Sequence, residues 1–260
     1  FYPIRFDELN TDVQNATAMT ATNSNGVYWN TGAYQSCTDW TTNQATAPGM
    51  VGGFAHSNSA NFTNFAGFQC SQLQRLYCFQ TDNQAVVAPP VVSHRIAFTS
   101  STNWTPGGGL SAADAVCTAD AQAAGLTSGG RTYKALLATT TASAISRFNT
   151  AAGTLPWGRP DHTLVTASAN TLAQASTTFI DASPNGNAAN TLWFGNVQVW
   201  SGASSLTALG TTASTCSNWA LTSGTGTGGR AGSTRIQDWL AYDSSNACSS
   251  TTIRLICLQE

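Results

Sequence analysis

Charge is what this 260-residue chain has least of: Asp, Glu, Lys and Arg together make 8% of it, and Lys134 is its one lysine. Ten Lys plus Arg against twelve Asp plus Glu leave a net charge of −2, and no basic cluster forms along the sequence. Binding a phosphate backbone needs clustered cations that release counterions, so nucleic acid is a poor partner. Anionic membranes and heparin-like chains are disfavoured for the same reason. Histidine is nearly as scarce, at His56, His94 and His162, and no Cys-x-x-Cys pair of the zinc-ribbon or thioredoxin kind occurs. The sequence shows no secretory leader and no membrane span. Its opening, Phe1-Tyr-Pro-Ile-Arg-Phe6, is expected to begin a processed product or a fragment of something longer.

Apolar residues, by contrast, are plentiful: 42% are hydrophobic, 10% aromatic, and eight are Trp. A chain of this composition builds a core and is not disordered. The polar cover must then come from Ser, Thr, Asn, Gln and Gly, a surface that suits an extracellular protein or an assembly. Seven cysteines at repeated spacings read as disulfides, and hence as an oxidising compartment. Asn15, Asn61 and Asn103 head N-x-S/T triplets, candidate glycosylation sites that fit secretion.

The cysteines also reveal a repeat. Cys216-Ser-Asn-Trp219, a Gly/Ser/Thr loop, Trp239, Cys248 and the apolar run Ile253–Cys257 have a counterpart near the front. There the order is Cys37-Thr-Asp-Trp40, a Gly/Thr/Asn loop, Phe62, Cys70 and Leu76-Tyr-Cys78. The first two cysteines are 33 residues apart in the early copy and 32 in the late one, and the third follows after 8 and 9. Such agreement marks a tandem repeat. Residues 1–80 hold the early copy, 81–93 with Pro89-Pro90 form a stiff extended linker, and 94–260 form the second unit.

In that unit Ile96 and Phe98 alternate with their neighbours as in a strand. The best helix follows, with Ser111 as N-cap, Asp114 three residues on, and Gly125 as its stop. Ala113, Val116, Cys117, Asp120 and Ala124 share one face, so Cys117 points inward. Tyr133–Leu137 reads as a buried strand and Ala142–Phe148 as a short helix with Ile145 and Phe148 facing in. Residues 158–190 and 201–235 are long polar loops, the usual place for binding. The last strand, 252–258, is apolar on both faces and so belongs in the middle of a sheet.

The ordered set His94-Arg-Ile-Ala-Phe98, Leu110–Cys117, Ala124-Gly-Leu126, Arg131–Leu137, Val199-Trp-Ser-Gly202, Cys216-Ser-Asn-Trp219 and Leu255-Ile-Cys257 resembles the endostatin-type domain. That domain has a C-type-lectin-like fold and is found at the ends of some collagens and in bacterial surface proteins. The resemblance spans 94–259. It implies an α+β, disulfide-tied mixed sheet with one main helix and long loops. It also selects a cysteine pairing that spacing alone leaves open: Cys117–Cys257 and Cys216–Cys248. The same rule applied to the front copy pairs Cys37–Cys70 and leaves Cys78 unpaired or intermolecular. Tyr2–Leu9 resembles the middle of the domain, so the first half of copy one is absent and its core face is open.

Candidate chemistry is sparse. Family members that bind zinc use clustered histidines, whereas here only His94 stands near that place, so neither metal nor cofactor is expected. Asp181-Ala-Ser-Pro-Asn185-Gly-Asn187 starts like a calcium loop, but Leu192 occupies the twelfth position where a bidentate Glu is needed, and an Asx turn is the better reading. Asp161-His162 lacks a nucleophile elbow, and Asp7-Glu8, read as strand neighbours, point to opposite faces, so no enzyme is expected. Trp40 and Trp219 are expected to pack beside their disulfides. Trp104, Trp157 and Trp239 lie in or near loops, where an aromatic could contact a sugar or a protein, although burial is the stronger reading there too. The expected protein is non-catalytic, extracellular or on the cell surface, and serves adhesion or recognition. Its expected partners are further copies in an oligomer or fibre, a host or matrix protein, or a glycan. The alternative is a monomeric carbohydrate-binding module.

Overall fold

In a computed structural model the chain divides into two compact units, Phe1–Ala88 and Pro89–Glu260. The described residues are 4, 7–9, 11, 13, 16–22, 27–28, 36–53, 66–79, 81–82, 92–174, 180–193 and 197–260. Pro89-Pro90 of the expected linker, Asn15, Asn61, His56 and Phe62 lie outside them.

The second unit is mixed α+β. Its main sheet has four strands in the order β5-β10-β4-β6: β4 Arg95–Thr99, β5 Tyr133–Ala135, β6 Trp157–Gly158 and β10 Ile256–Gln259. β10 runs antiparallel to both neighbours, pairing Cys257 with Phe98 on one side and with Ala135 on the other. β4 and β6 are parallel. The run apolar on both faces therefore occupies an inner strand, although its ladder starts at Ile256 rather than at 252. All five residues of β4 are buried, so the alternation expected there separates two interiors and not core from water. Ile96, Phe98 and Cys257 face the helix side, while Ala97, Ile256 and Leu258 face the loop-rich side.

The helix, here α2, spans Gly109–Ala123 and buries Ala113, Cys117 and Ala121 against the sheet. Its N-cap, Gly108, lies three residues before the expected cap, and no side chain caps that end. Ser111 already lies in the first turn. The stop is as the sequence suggests. Gly125 has φ +72°, its N–H donates to Gln122, and the Leu126 N–H donates to Ala121, the paired bonds of a glycine-terminated helix. The segment after β5 is a 3-10 turn, Ile145–Arg147, with Ile145 and Phe148 buried.

A second sheet, β7-β8-β9, is antiparallel: β7 Gln198–Trp200, β8 Thr225–Arg230 and β9 Asp243–Ala247. A short helix, α4 (Ile236–Ala241), packs on β8 and buries Trp239. Disulfides Cys117–Cys257 and Cys216–Cys248 fasten helix to sheet and loops to β9.

The first unit holds one three-stranded antiparallel sheet, β1-β2-β3, made of Thr17–Met19, Pro48–Gly53 and Ala66–Gln69. Its described core is small: Cys37, Phe68 and Cys70, with Met19 and Ala47 partly buried. Cys37–Cys70 is its disulfide, and Cys78 is free and exposed. Asp7 and Glu8 lie at a turn, not on a strand. The Asp7 carboxylate accepts the N–H groups of Leu9 and Thr11, and the Thr11 bond holds its pKa below the usual value.

Candidate functional site

Hydrophobic burial decides where the candidate tryptophans stand. Trp104, Trp157 and Trp239 are 7%, 0% and 1% exposed, so none offers a ring to a sugar or partner. Their sequence neighbourhoods are loops, but those loops fold over the sheet because so large an apolar surface gains most when removed from water. Trp157 donates its N–H to Gln259 and lies under the Arg95 guanidinium, 3.6 Å from its ring centre. Burial lowers the Arg95 pKa to about 10. Trp239 donates to the Ser233 carbonyl, and Trp104 packs on Trp219. Asn103, next in sequence to Trp104, is exposed.

The polar candidates are engaged internally. Asp161 pairs with the buried Arg159 at 2.7 Å and accepts the Thr163 N–H. Burial would raise its pKa, but the Arg159 bonds and charge and the Thr163 bonds outweigh it and hold the carboxyl at about 2. That carboxylate orients Arg159, not His162. His94 and His162 meet edge to face, 5.3 Å between ring centres. In the 181–192 loop the Asn185 side-chain oxygen accepts from Arg159, and Asn187 accepts the Thr191 N–H. Asn187 thus closes a turn within the loop, and Asn185 is tied to a residue outside it. Among the described residues no three His, Cys, Asp or Glu gather as a metal site.

One surface cavity of about 440 Å³ does lie on the second unit, lined by Asn103, Trp193, Val197, Gln198, Arg230, Thr252 and Arg254. The Arg254 guanidinium sits 4.2 Å from the Trp193 ring centre, and that of Arg230 3.6 Å from the Tyr242 ring centre. Among the described residues Trp193 Nε1 and Arg230 Nε are buried atoms without a hydrogen-bond partner. Asp243 is 3.7 Å from Arg230, an ion pair too long for a hydrogen bond. Trp193 carried no cysteine or repeat signal that could have singled it out in the sequence.

The most informative geometry comes from laying the two units' cysteine segments side by side. Cys37–Trp40 (α1) and Cys216–Trp219 (α3) are single turns in which all four residues have left-handed φ, from 48° to 69°. Such a run is costly for residues with a Cβ, and here each turn is preceded by a capping hydroxyl, Ser36 or Thr215, that accepts from the third residue of the turn. Further bonds correspond one to one. Met19 donates to Arg75 and Trp200 to Arg254; Cys70 donates to Ala47 and Cys248 to Gly224. Parallel bridges Ala18↔Arg75 and Val199↔Arg254 fix the register within each unit, which makes Leu76 the counterpart of Leu255, Cys78 of Cys257 and Phe79 of Leu258.

Burial breaks that correspondence. Leu255, Cys257, Leu258 and Trp219 are each 0% exposed, whereas Leu76 is 68%, Phe79 67% and Trp40 49% exposed, and Cys78 is exposed as well. Trp40 therefore does not pack as a core residue. Its counterpart does so between Trp104 and Trp200, and the first unit has Met19 where Trp200 stands and nothing described in place of Trp104. Each large side chain left in water forgoes about 1.5–3 kcal/mol. Beside this face lies a cavity of about 720 Å³ lined by Ile4, Asp7, Glu8, Val13, Arg75, Leu76, Tyr77 and Cys78.

Fold and site together define a disulfide-tied mixed α+β protein with an uncovered apolar face on its first unit. No protein-family model matches the sequence, and no curated protein matches it. No helix among the described residues is long and apolar enough to cross a membrane.

Proposed function

We propose that this chain is a non-catalytic adhesion or recognition protein, extracellular or on a cell surface, that works joined to further polypeptide through its first unit. In this reading both units are endostatin-like, with a C-type-lectin-like fold, and the first consists of the second half alone. The observation that carries it is the exposure of Leu76, Cys78 and Trp40, whose counterparts pack on the helix side of the sheet, and of Phe79, whose counterpart packs on the opposite side. An apolar face of this kind marks an interaction surface. Three disulfides support an oxidising, extracellular setting. Light scattering after size exclusion, with an exposed-apolar-surface dye, tests the reading. The wild type should associate or bind the dye strongly, and Leu76→Asp with Phe79→Asp should abolish both. A wild type that stays monomeric and leaves the dye unbound refutes it.

A second reading, carbohydrate binding, is favoured by the Trp193 cavity and not by the loop tryptophans first considered. Two guanidiniums, an unpartnered indole N–H and the Gln198 amide line it. That set suits a hydroxyl-rich ligand bearing a carboxylate or sulfate. A glycan array should then show acidic sugars bound by the wild type and lost in Trp193→Ala.

A further inference from the structure

We infer that the open face of the first unit receives a strand–helix–strand segment whose helix carries a cysteine bonded to Cys78, supplied by polypeptide other than residues 1–260. The inference deepens the preceding reading of that face and rests on it. The second unit exhibits what covers the equivalent surface. There β10 lies between β4 and β5, and α2 crosses the sheet to bond Cys257 through Cys117. In the first unit residues 76–79 belong to no strand, and Leu76, Cys78 and Phe79 are exposed where the second unit's chain is sandwiched between strands.

Arginine repeats the same logic. Arg254 donates to the carbonyls of Ser100 and Ser101, just past β4, and so anchors the chain that leads to the helix. Arg75 occupies the matching position, is exposed, and lines the 720 Å³ cavity with Cys78. The occupant that satisfies all of these features has an apolar strand, a turn that gives carbonyls to Arg75, and a helix with a cysteine on its apolar face. A second copy of this chain cannot donate it. Its Cys117 is fully buried and already bonded, and six of the seven cysteines are paired, so a copy offers only another Cys78.

The bond forms by thiol–disulfide exchange with a disulfide donor R–S–S–R of the oxidising compartment. The Cys78 thiolate attacks one donor sulfur and expels RS⁻; the helix cysteine, as thiolate, then attacks Cys78 Sγ and expels the second RS⁻. Two protein thiols lose two protons and two electrons, and the donor leaves as two thiolates.

Peptide mapping of the natural protein, isolated without reductant after thiols are blocked, tests this. Trypsin should release Leu76–Arg95 in disulfide linkage to a peptide absent from residues 1–260, with apolar residues three and four positions from its cysteine. Reduction should abolish the conjugate, and blocking of Cys78 before reduction should fall from one per chain to almost none. Three results overturn the inference: Cys78 blocked as a free thiol, Cys78 joined to Cys78, or Cys78 capped by a small thiol. Cys78→Ser supplies a second measurement, since the added strands should still slow hydrogen exchange of amides 76–79 in the natural assembly relative to residues 1–260 alone. Equal exchange overturns the inference. The failures of the two readings are distinguishable. Association through this face with a free Cys78 refutes the helix and leaves the preceding reading; a first unit that neither associates nor binds the dye, with Cys78 a free thiol, refutes both.

Discussion

Replacing Cys117 and Cys257 together by alanine should destabilise the second unit more than the same change at Cys216 and Cys248, although both bonds lie in one core. All four cysteines are buried, at most 2% exposed, and alanine keeps the positions apolar, so the comparison isolates the cross-link. The outer bond closes 140 residues, and the inner bond short-cuts 32 of them, leaving an effective loop of 108 (140 − 32). The chain-entropy relation assigns such a loop about 5 kcal/mol and the inner loop about 4 kcal/mol. In a domain of this size roughly 2–4 °C of melting temperature accompany each kcal/mol. The outer variant should therefore melt about 10–20 °C below the wild type and lose about a third or more of a net stability on the order of 5–15 kcal/mol. Near-ultraviolet circular dichroism follows this directly, because Trp104, Trp157, Trp200, Trp219 and Trp239 are all buried in this unit. Urea midpoints of the two variants, measured in parallel, set the order. An inner variant as unstable as the outer one, or an outer variant within about 2 kcal/mol of the wild type, would refute the reasoning that loop length governs these bonds.

Three further outcomes can be checked. Asp161 has a pKa depressed to about 2 in the folded state, so its contribution is present above its unfolded value near 3.8 and is lost as pH falls through about 2. The size is about 2 kcal/mol, and acid titration of Asp161→Asn should lack that slope between pH 4 and 2. Trp157→Ala should cost about 3–5 kcal/mol by calorimetry, from the ring, its cation contact with Arg95 and the bond to Gln259, while glycan binding by the folded fraction stays unchanged. Gly226→Ala puts a methyl 2.7 Å from Cys216 Sγ and 3.0 Å from the Trp200 ring, and the matching Gly49→Ala drives one into Phe68 and to 3.0 Å from Cys37 Sγ. Each should lower stability by about 1–3 kcal/mol, read from urea midpoints, and neutrality of either would deny that the two turns pack on their sheets alike.

Local pattern made much of the second unit legible. Gly125 stops the helix by the rule that glycine tolerates a left-handed residue, Cys117 faces inward by helical period, and the apolar run near the C-terminus marks an inner strand. The misreadings are those that no local rule governs. Ser111 has cap chemistry, yet the chain enters the helix three residues earlier at Gly108-Gly109, where glycines permit the close turn. Burial of Trp157 and Trp239, the stronger reading from the sequence, holds, but which loop closes over a sheet depends on the whole unit's packing. The cavity at Trp193 joins residues from 103 to 254 and has no contiguous motif.

The sequence by itself determined that the chain has a core, that its cysteines recur in register, and that Cys78 stands where the late copy has Cys257. Those are matters of composition and spacing, which one dimension records. Only the tertiary structure decided that the same Cys-x-x-Trp turn buries Trp219 and leaves Trp40 in water. Burial is a property of what lies opposite a side chain, and among the described residues α2, Trp104 and the flanking strands lie opposite only in the second unit.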